Sequence, residues 1–222
     1  MTASELRLLV VNANTSETVT RIVADAARSA ASDGTVIIPV TAAFGVPVIQ
    51  TPADHEVAFR ACVDAVTRNA GRYDAVLVAV SLDTAVEELQ RICPVPVVGM
   101  TGAALQLGAE TGAKVGVLTI GETMKVLFLE RFGPDCAAAV HAINLGPAAA
   151  LGGRDHAARL LAEGVAELAG RGIELAIPMG ATVAGLAALI QPQVTIPVVD
   201  SMACGVQLAE RLVREARARA AS

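Results

Sequence analysis

Two stretches of the sequence have the same order of apolar, polar and Ala/Leu-rich segments and form an internal repeat. The first covers residues 75–106 and the second covers residues 175–207. Each has an apolar run, a turn of small or polar residues, an Ala- and Leu-rich segment, and a second short strand containing Pro-Val-Val. A period of about 100 residues is too long for a solenoid unit. The repeat therefore predicts two similar α/β halves that face each other.

Apolar runs with β character alternate with helical segments along the chain. Four predicted strands fall in each half: residues 6–11, 35–41, 73–80 and 96–99, then 114–119, 139–145, 173–179 and 196–199. Such strands, separated by helices, are typical of parallel sheets covered on both faces. We therefore predict an α/β fold of two pseudo-twofold-related lobes, each with a four-stranded, mainly parallel sheet flanked by helices. The first lobe comprises residues 1–100 plus 205–222, the second comprises residues 101–204, and the site lies in the cleft between them.

The composition argues against several classes of protein. The net charge is −5 and aromatic residues make up 2% of the chain, which argues against a nucleic-acid partner. The most membrane-like stretch, residues 175–190, is shorter than the ~20 residues of a membrane-spanning helix and contains Pro178. The N-terminus has no secretory signal pattern, and the four cysteines form no CxxC pair. These features predict a cytoplasmic protein with no membrane partner, no disulfide framework and no zinc site; a homo-oligomer is compatible with them.

Four turns follow predicted strands and precede predicted helices, at residues 12–16, 80–84, 119–123 and 180–182. The carboxyl ends of parallel strands meet at one edge of a sheet, so these turns should converge on the cleft. Backbone N–H groups at helix N-termini bind anions, which favours a small carboxylate or the enolate formed from one. The same polar residues also serve as ordinary helix caps. The candidate substrate-binding residues are Asn12, Asn14, Thr15, Ser16, Val80, Ser81, Thr119, Gly180, Ala181 and Thr182.

Neither a nucleotide cofactor nor a metal ion is indicated. GxGxxG and GxxxxGK[ST] are both absent after the first strand, and the small-residue loop at 146–154 follows neither pattern. The three histidines, His55, His141 and His156, lack the spacing of metal ligands. His55 follows the long connection at residues 42–54, a length typical of lids and binding loops. That connection either brings His55 to the cleft or leaves it on the surface.

The turn after the first strand carries a family resemblance. Its sequence, Asn12-Ala13-Asn14-Thr15-Ser16, is similar to the N-P-N-T-S opening of the hydantoin racemase group. That group belongs to the aspartate/glutamate racemase superfamily, whose members include arylmalonate decarboxylase and maleate isomerase. Residues 74–79 resemble the strand before the family's first catalytic cysteine, and residues 95–99 and 196–200 resemble later strands. The resemblance extends over essentially the whole chain. It implies a cofactor-independent enzyme in which two facing cysteines move the proton next to a carbonyl.

Both cysteine positions differ from the family pattern. The first cysteine would fall at Val80 and the second at Gly180. We therefore predict no racemase activity on hydantoins or amino acids. An altered reaction of a small carboxylate or carbonyl substrate is expected instead, such as decarboxylation, elimination or addition, or isomerisation through an enolate-like intermediate. The alternative is a non-catalytic, carboxylate-binding pseudoenzyme.

Other residues are candidates for the missing proton-transfer group. Ser81 and Asp83 lie in the first of the two turns, Cys204 follows the last predicted strand, and His55 follows the long loop. Asp83 is a base if it is desolvated, but an N-capping aspartate fits the same position. Cys204 either faces the site or is a small buried core residue. The sequence leaves these alternatives open.

Overall fold

The computed structural model describes residues 5–146 and 152–220. Five residues of the predicted small-residue loop, 147–151, therefore lie outside the described part, as do residues 1–4 and 221–222. No helix in the described ranges is long and apolar enough to span a bilayer.

The first half of the chain forms a four-stranded parallel sheet with the strand order β2-β1-β3-β4. The central strand β1 is buried almost throughout because its residues are continuously apolar. Helices cover the sheet, and the first of them is capped by Ser16, whose hydroxyl accepts a hydrogen bond from the N–H of Val19. The elements are β1 (Leu6–Asn12), α1 (Glu17–Ala30), β2 (Thr35–Thr41), α2 (Pro52–Arg68), β3 (Ala75–Val78), α3 (Val86–Ile92), β4 (Val97–Gly99) and α4 (Met100–Glu110).

The second half forms a three-stranded parallel sheet with the order β6-β5-β7. Two 3-10 turns, Ala181–Val183 and Gln191–Gln193, follow its last strand. The regular elements are β5 (Val115–Ile120), α5 (Glu122–Phe132), β6 (Ala139–Ile143), α6 (Arg154–Gly170), β7 (Leu175–Pro178), α7 (Ala187–Ile190) and α8 (Ser201–Ala220).

The prediction of a fourth strand in the second sheet is wrong. The segment at residues 196–199 makes a single parallel bridge, between Ala176 and Val198. The carbonyl of Pro197 and the N–H of Val199 both bond to Ala176 at 2.9 Å. The N–H of Val198 donates to the side-chain oxygen of Gln191 at 2.8 Å, and the Gln191 amide donates to the carbonyl of Ile196 at 3.1 Å. Pro197 has no N–H to extend the ladder. With this bridge beside β7, the second sheet still follows the strand arrangement of the first, in agreement with the sequence repeat.

The last helix, α8, packs against α1, α4 and the strands of the first sheet. The carboxylate of Glu210 on this helix is buried, with 2% of the residue exposed. It accepts hydrogen bonds from the N–H and hydroxyl of Ser32 at 2.9 and 2.6 Å, and from the hydroxyl of Thr35 at 2.7 Å. The C-terminal helix is therefore tied to the connection between α1 and β2.

The two halves meet near the carboxyl ends of their strands. Arg131, at the end of α5, donates from Nε to the carbonyl of Leu82 at 3.2 Å and pairs with the carboxylate of Glu87. Helix α1 contacts the 3-10 turn that follows β7. These contacts hold the turns of both sheets around a shared cleft. The division of the chain into lobes at residues 100 and 204 stays a prediction.

Candidate functional site

A cavity of about 390 Å³ lies at the carboxyl ends of the strands, between the two sheets. All four predicted turns contribute to its lining. The turns after β3, β5 and β7 each contribute several residues, and the turn after β1 contributes Asn14. The long connection before α2 forms a further wall, as its length predicted. The polar residues that line the cavity are Asn14, Gln50, Thr51, His55, Ser81, Glu122, Thr123, Asn144 and Thr182.

The positions that correspond to the family's cysteines both line this cavity. Val80 has an apolar side chain that is almost fully buried. Gly180 has φ of +131°, and a Cβ atom there would lie 2.9 Å from Cδ1 of Ile120. A larger residue at position 180 would therefore be strained. Neither position carries a group that can take or give a proton.

No thiol replaces them at the cavity. All four cysteines lie in the described ranges, and none of them is among the lining residues. Cys204 lies in the first turn of α8 and is buried in the core, and its burial raises the pKa of the thiol to about 12. Cys62 is buried in the core of the first sheet, where burial likewise raises its pKa to about 12. Thiolates are therefore disfavoured at both positions at neutral pH.

Backbone N–H groups from three turns remain unpaired around the cavity. Within the described residues, no hydrogen bond engages the N–H groups of Ser81, Thr123 or Ala181. All three residues line the cavity. Thr123 belongs to the first turn of α5, where the helix dipole adds partial positive charge. Such an arrangement is suited to the oxygen of a carboxylate or an enolate.

Asn14 is oriented by its neighbours. Its Oδ1 accepts hydrogen bonds from Nδ2 of Asn12 and from the N–H of Ser16, both at 2.9 Å. The Nδ2 group of Asn14 is therefore the part of the side chain available to a ligand. Asn12 is not among the residues that line the cavity. Its side-chain amide points into the turn, where it also donates to the carbonyl of Ser16 and the hydroxyl of Thr20. Its buried side chain holds the turn in shape.

His55 lies in the first turn of α2, which begins with a capping box formed by Thr51 and Asp54. Its Nδ1 is 2.9 Å from the hydroxyl oxygen of Thr84. Its Nε2 is buried and has no hydrogen-bond partner within the described residues. Burial lowers the pKa of His55, opposed by the negative charge of Asp54. The neutral imidazole is therefore favoured at neutral pH.

Asp83 lies behind the cavity wall rather than in it. Its carboxylate accepts hydrogen bonds from the N–H groups of Thr101 at 3.0 Å and Gly102 at 2.6 Å, and thereby caps α4. The Thr101 hydroxyl also donates to the carbonyl of Ser81 at 2.8 Å. Burial raises the pKa of Asp83 to about 7, although both N–H donors act to lower it. Asp83 has φ of +51°, and its contacts fit the capping alternative.

Other sequence candidates lie outside the cavity lining. Thr15 is held by its N–H, which donates to the carbonyl of Val46 at 3.0 Å. Ser16 caps α1, and Thr119 is fully buried within β5. Cys204 packs in the core. These four residues occupy structural positions because capping and core packing use the same small side chains as ligand binding.

Several lining residues are not among the candidates predicted from the sequence; they include Gln50, Thr51, Glu122 and Asn144. Gln50 and Thr51 belong to the long connection, whose placement depends on tertiary packing. Asn144 directly follows β6, and a polar residue at the carboxyl end of a strand is a usable signal. The side chain of Glu122 is 74% exposed and lies 3.5 Å from Nζ of Lys125.

Comparisons with known proteins agree with this architecture. A model of the family described as Asp/Glu/Hydantoin racemase matches residues 8–209. The hydantoin racemase of Paenarthrobacter aurescens is 26% identical over 215 residues, covering 94% of this chain and 91% of that protein. The structure of an allantoin racemase from Pseudomonas fluorescens has a TM-score of 0.89 at 28% identity, covering 95% of this chain and 92% of that one. An allantoin racemase from Klebsiella pneumoniae has a TM-score of 0.87 at 24% identity, covering 96% and 89% respectively. Since the family model covers most of its length, the chain belongs to the Asp/Glu/Hydantoin racemase family.

Proposed function

We propose that this protein is a cofactor-independent isomerase or lyase that acts on a small carboxylate or carbonyl compound through an enolate-like intermediate. The observation that carries the proposal is the cavity itself, where unpaired backbone N–H groups from three turns surround a space without a thiol. An enolate carries its negative charge on oxygen. Preorganised N–H donors stabilise that charge more than they stabilise the neutral carbonyl.

The charge of the lining limits the substrate class. Among the described lining residues there is no lysine or arginine, and the polar groups are amides, hydroxyls, one imidazole and one carboxylate. Charge stabilisation therefore depends on N–H dipoles and the α5 helix dipole, which are weaker than a cation. This suits a carbonyl group or a single carboxylate better than a phosphate or a dianion.

The reaction we propose differs from two-thiol racemisation. The named relatives are racemases, but Val80 and Gly180 cannot exchange protons. Decarboxylation, elimination or addition, and isomerisation all pass through an enolate-like state and do not require two facing thiols. Candidate groups for the remaining proton transfer are His55 and Ser81, which line the cavity. Asp83 caps α4 and Cys204 lies in the core, so we do not assign the transfer to them.

A non-catalytic binding protein is the second candidate. It is favoured by the apolar side chain of Val80 and the absence of a side chain at Gly180, which leave an anion-binding cavity without the family's catalytic pair. Such a protein would bind carboxylates through the same N–H groups and release them unchanged.

Incubation in D₂O with a panel of 2-oxo acids, malonates, unsaturated carboxylates, hydantoins and allantoin separates the two candidates. Proton NMR follows substrate loss and loss of the signal next to the carbonyl. Turnover or exchange that falls in Asn14→Ala supports the enzyme. Ligand-induced chemical-shift changes without turnover or exchange of any panel member would contradict it and favour the binding protein.

A further inference from the structure

We propose that His55 is the proton-transferring group of this site and that it acts on one face of the substrate only. This inference rests on the proposed function, since it assigns the step that an enolate-forming enzyme requires. It follows from the position of the imidazole, from the other ionisable groups around the cavity and from the wall at Gly180.

The imidazole of His55 has one hydrogen-bonded nitrogen and one unpaired nitrogen. Nδ1 is paired with the hydroxyl of Thr84 at 2.9 Å, whereas Nε2 is buried without a partner within the described residues. Buried polar atoms in folded proteins are nearly always hydrogen-bonded. An unpaired, solvent-shielded Nε2 in a residue that lines a cavity therefore points to a partner that arrives with a ligand.

The other ionisable groups are less suitable. Glu122 is the second ionisable residue among the described lining residues, but its carboxylate is mostly exposed and lies beside Lys125. An exposed carboxylate paired with a surface lysine is not held at a fixed position in the cavity. Asp83 is occupied by the N–H groups of Thr101 and Gly102, and Cys204 is buried in the core. His55 thus combines a place in the cavity wall with a neutral, basic form at neutral pH.

The proton transfer needs no reactant other than the imidazole of His55 and the substrate. The lone pair of Nε2 takes the proton from the carbon next to the carbonyl, and the C–H electron pair forms the double bond of the enolate. The carbonyl π pair moves onto oxygen, where backbone N–H groups such as those of Ser81 and Ala181 are available. Nε2 then returns the proton to the same carbon or to a conjugated one, which restores the neutral imidazole.

The geometry restricts this transfer to one face. His55 and its partner Thr84 belong to the first half of the chain, on the same side as Val80. Gly180 lines the same cavity after β7, in the second half of the chain, and has no side chain. Because the carboxylate of Glu122 in the second half is mostly exposed to solvent, His55 is the one solvent-shielded base among the described lining residues. The reaction class is therefore a suprafacial proton shift, and inversion of a stereocentre is not supported.

Thr84 is a positioning residue in this arrangement. For Nε2 to act as the base, Nδ1 must carry the proton and donate it to the Thr84 hydroxyl oxygen. The ¹⁵N spectrum of the imidazoles tests this without any substrate, and the His55 signals are assigned by their loss in His55→Gln. We expect the Nδ1–H tautomer at neutral pH. A proton on Nε2, with Nδ1 accepting from Thr84, would overturn the proposal.

Proton exchange tests the catalytic role. Each enantiomer of 5-methylhydantoin is incubated in D₂O, with the ring-carbon proton followed by NMR and the configuration by circular dichroism. We expect exchange with retained configuration, reduced roughly 100-fold or more in His55→Gln. His141→Gln and His156→Gln are matched controls outside the cavity lining and should behave as the unmodified protein. Thr84→Val should lower kcat more than it changes KM, and Thr84→Ser should restore it.

The outcomes distinguish the role of His55 from the proposed function. Exchange that persists in His55→Gln, or that disappears in Glu122→Gln instead, overturns the assignment of His55 and leaves the proposed function intact. Exchange accompanied by racemisation overturns the single-face inference. If the unmodified protein neither exchanges a proton of any panel compound nor converts any of them, the proposed function fails. The role of His55 then fails with it.

Discussion

Asp83 and Thr101 join the wall of the cavity to the start of the next helix. The Asp83 carboxylate accepts the N–H of Thr101 at 3.0 Å, and the Thr101 hydroxyl donates to the carbonyl of Ser81 at 2.8 Å. The turn that bears Val80 and Ser81 is therefore fixed by α4. Asp83 is a catalytic candidate from the sequence, but its contacts in the structure position the turn.

Asp83 should give the stability a recognisable pH dependence. Burial raises its pKa to about 7 in the folded protein, against roughly 4 in an unfolded chain. Between these values the folded protein binds more protons than the unfolded chain, so the contribution of Asp83 to stability falls as the pH rises from about 4 to about 7. In the Asp83→Asn variant, the side chain at position 83 has no group that titrates in this range. Thermal unfolding of both proteins across this range should show the Tm of the unmodified protein declining relative to the variant. A pH-independent difference in Tm would contradict the raised pKa.

Gly99 should tolerate no side chain. A Cβ atom there would lie 2.0 Å from Cγ of Asp83, which is held in place by Thr101 and Gly102. We expect Gly99→Ala to destabilise the fold by about 1–3 kcal/mol through overpacking. Gly170→Ala is the matched control, because nothing lies within 4 Å of that position in α6. Denaturant unfolding measures both variants, and equal stabilities would refute the close packing around Asp83.

Much of the fold follows from periodicity. The alternation of apolar runs and helical segments predicts the two parallel sheets, since a strand buried on both faces needs a continuous apolar sequence such as Leu8–Val11. The shortening of the strand at residues 196–199 was not predictable, because the matching Pro-Val-Val segment at residues 96–98 leads into β4, which pairs with β3. The two segments have the same local pattern and differ only in the packed structure.

The candidate site was predictable in part for the same reason. Val80 and Gly180 directly follow strands, and strand ends converge in parallel sheets, so their place in the cavity follows from topology. The separate roles of Asp83 and His55 do not follow from it. A polar residue near a helix start is either a cap or a functional group, and only the packed structure tells which N–H groups it meets.

Glu210 should anchor the C-terminal helix. Burial acts to raise its pKa, but hydrogen bonds from Ser32 and Thr35 and the charge of Arg214 outweigh this and lower it. Its contribution to stability is therefore present above the unfolded pKa and is lost as the pH falls through the folded one. At neutral pH we expect Glu210→Gln to cost about 1–3 kcal/mol. The exposed Glu215→Gln is the control on the same helix. An equal effect of both substitutions on chemical denaturation would show that the buried contacts contribute little.

Asn14 should contribute directly to ligand binding. Its Oδ1 is held by Asn12 and Ser16, so its Nδ2 donor is presented to the cavity at little cost in side-chain entropy. We expect Asn14→Ala to weaken the binding of a small carboxylate by about 1–3 kcal/mol. Ser29→Ala, on the exposed face of α1, serves as control. Calorimetric titration with the same carboxylate measures both, and unchanged affinity in Asn14→Ala would place the anion site elsewhere.

The central claim is that this cavity carries out carbanion chemistry without a thiol. The most direct test replaces Cys62, Cys93, Cys136 and Cys204 together by alanine and measures proton exchange of 5-methylhydantoin in D₂O. Circular dichroism checks that the variant is folded, and the single variant Cys204→Ala is measured beside it. The account predicts measurable exchange by the unmodified protein and the same rate in both variants. Loss of exchange in a folded cysteine-free variant would contradict it.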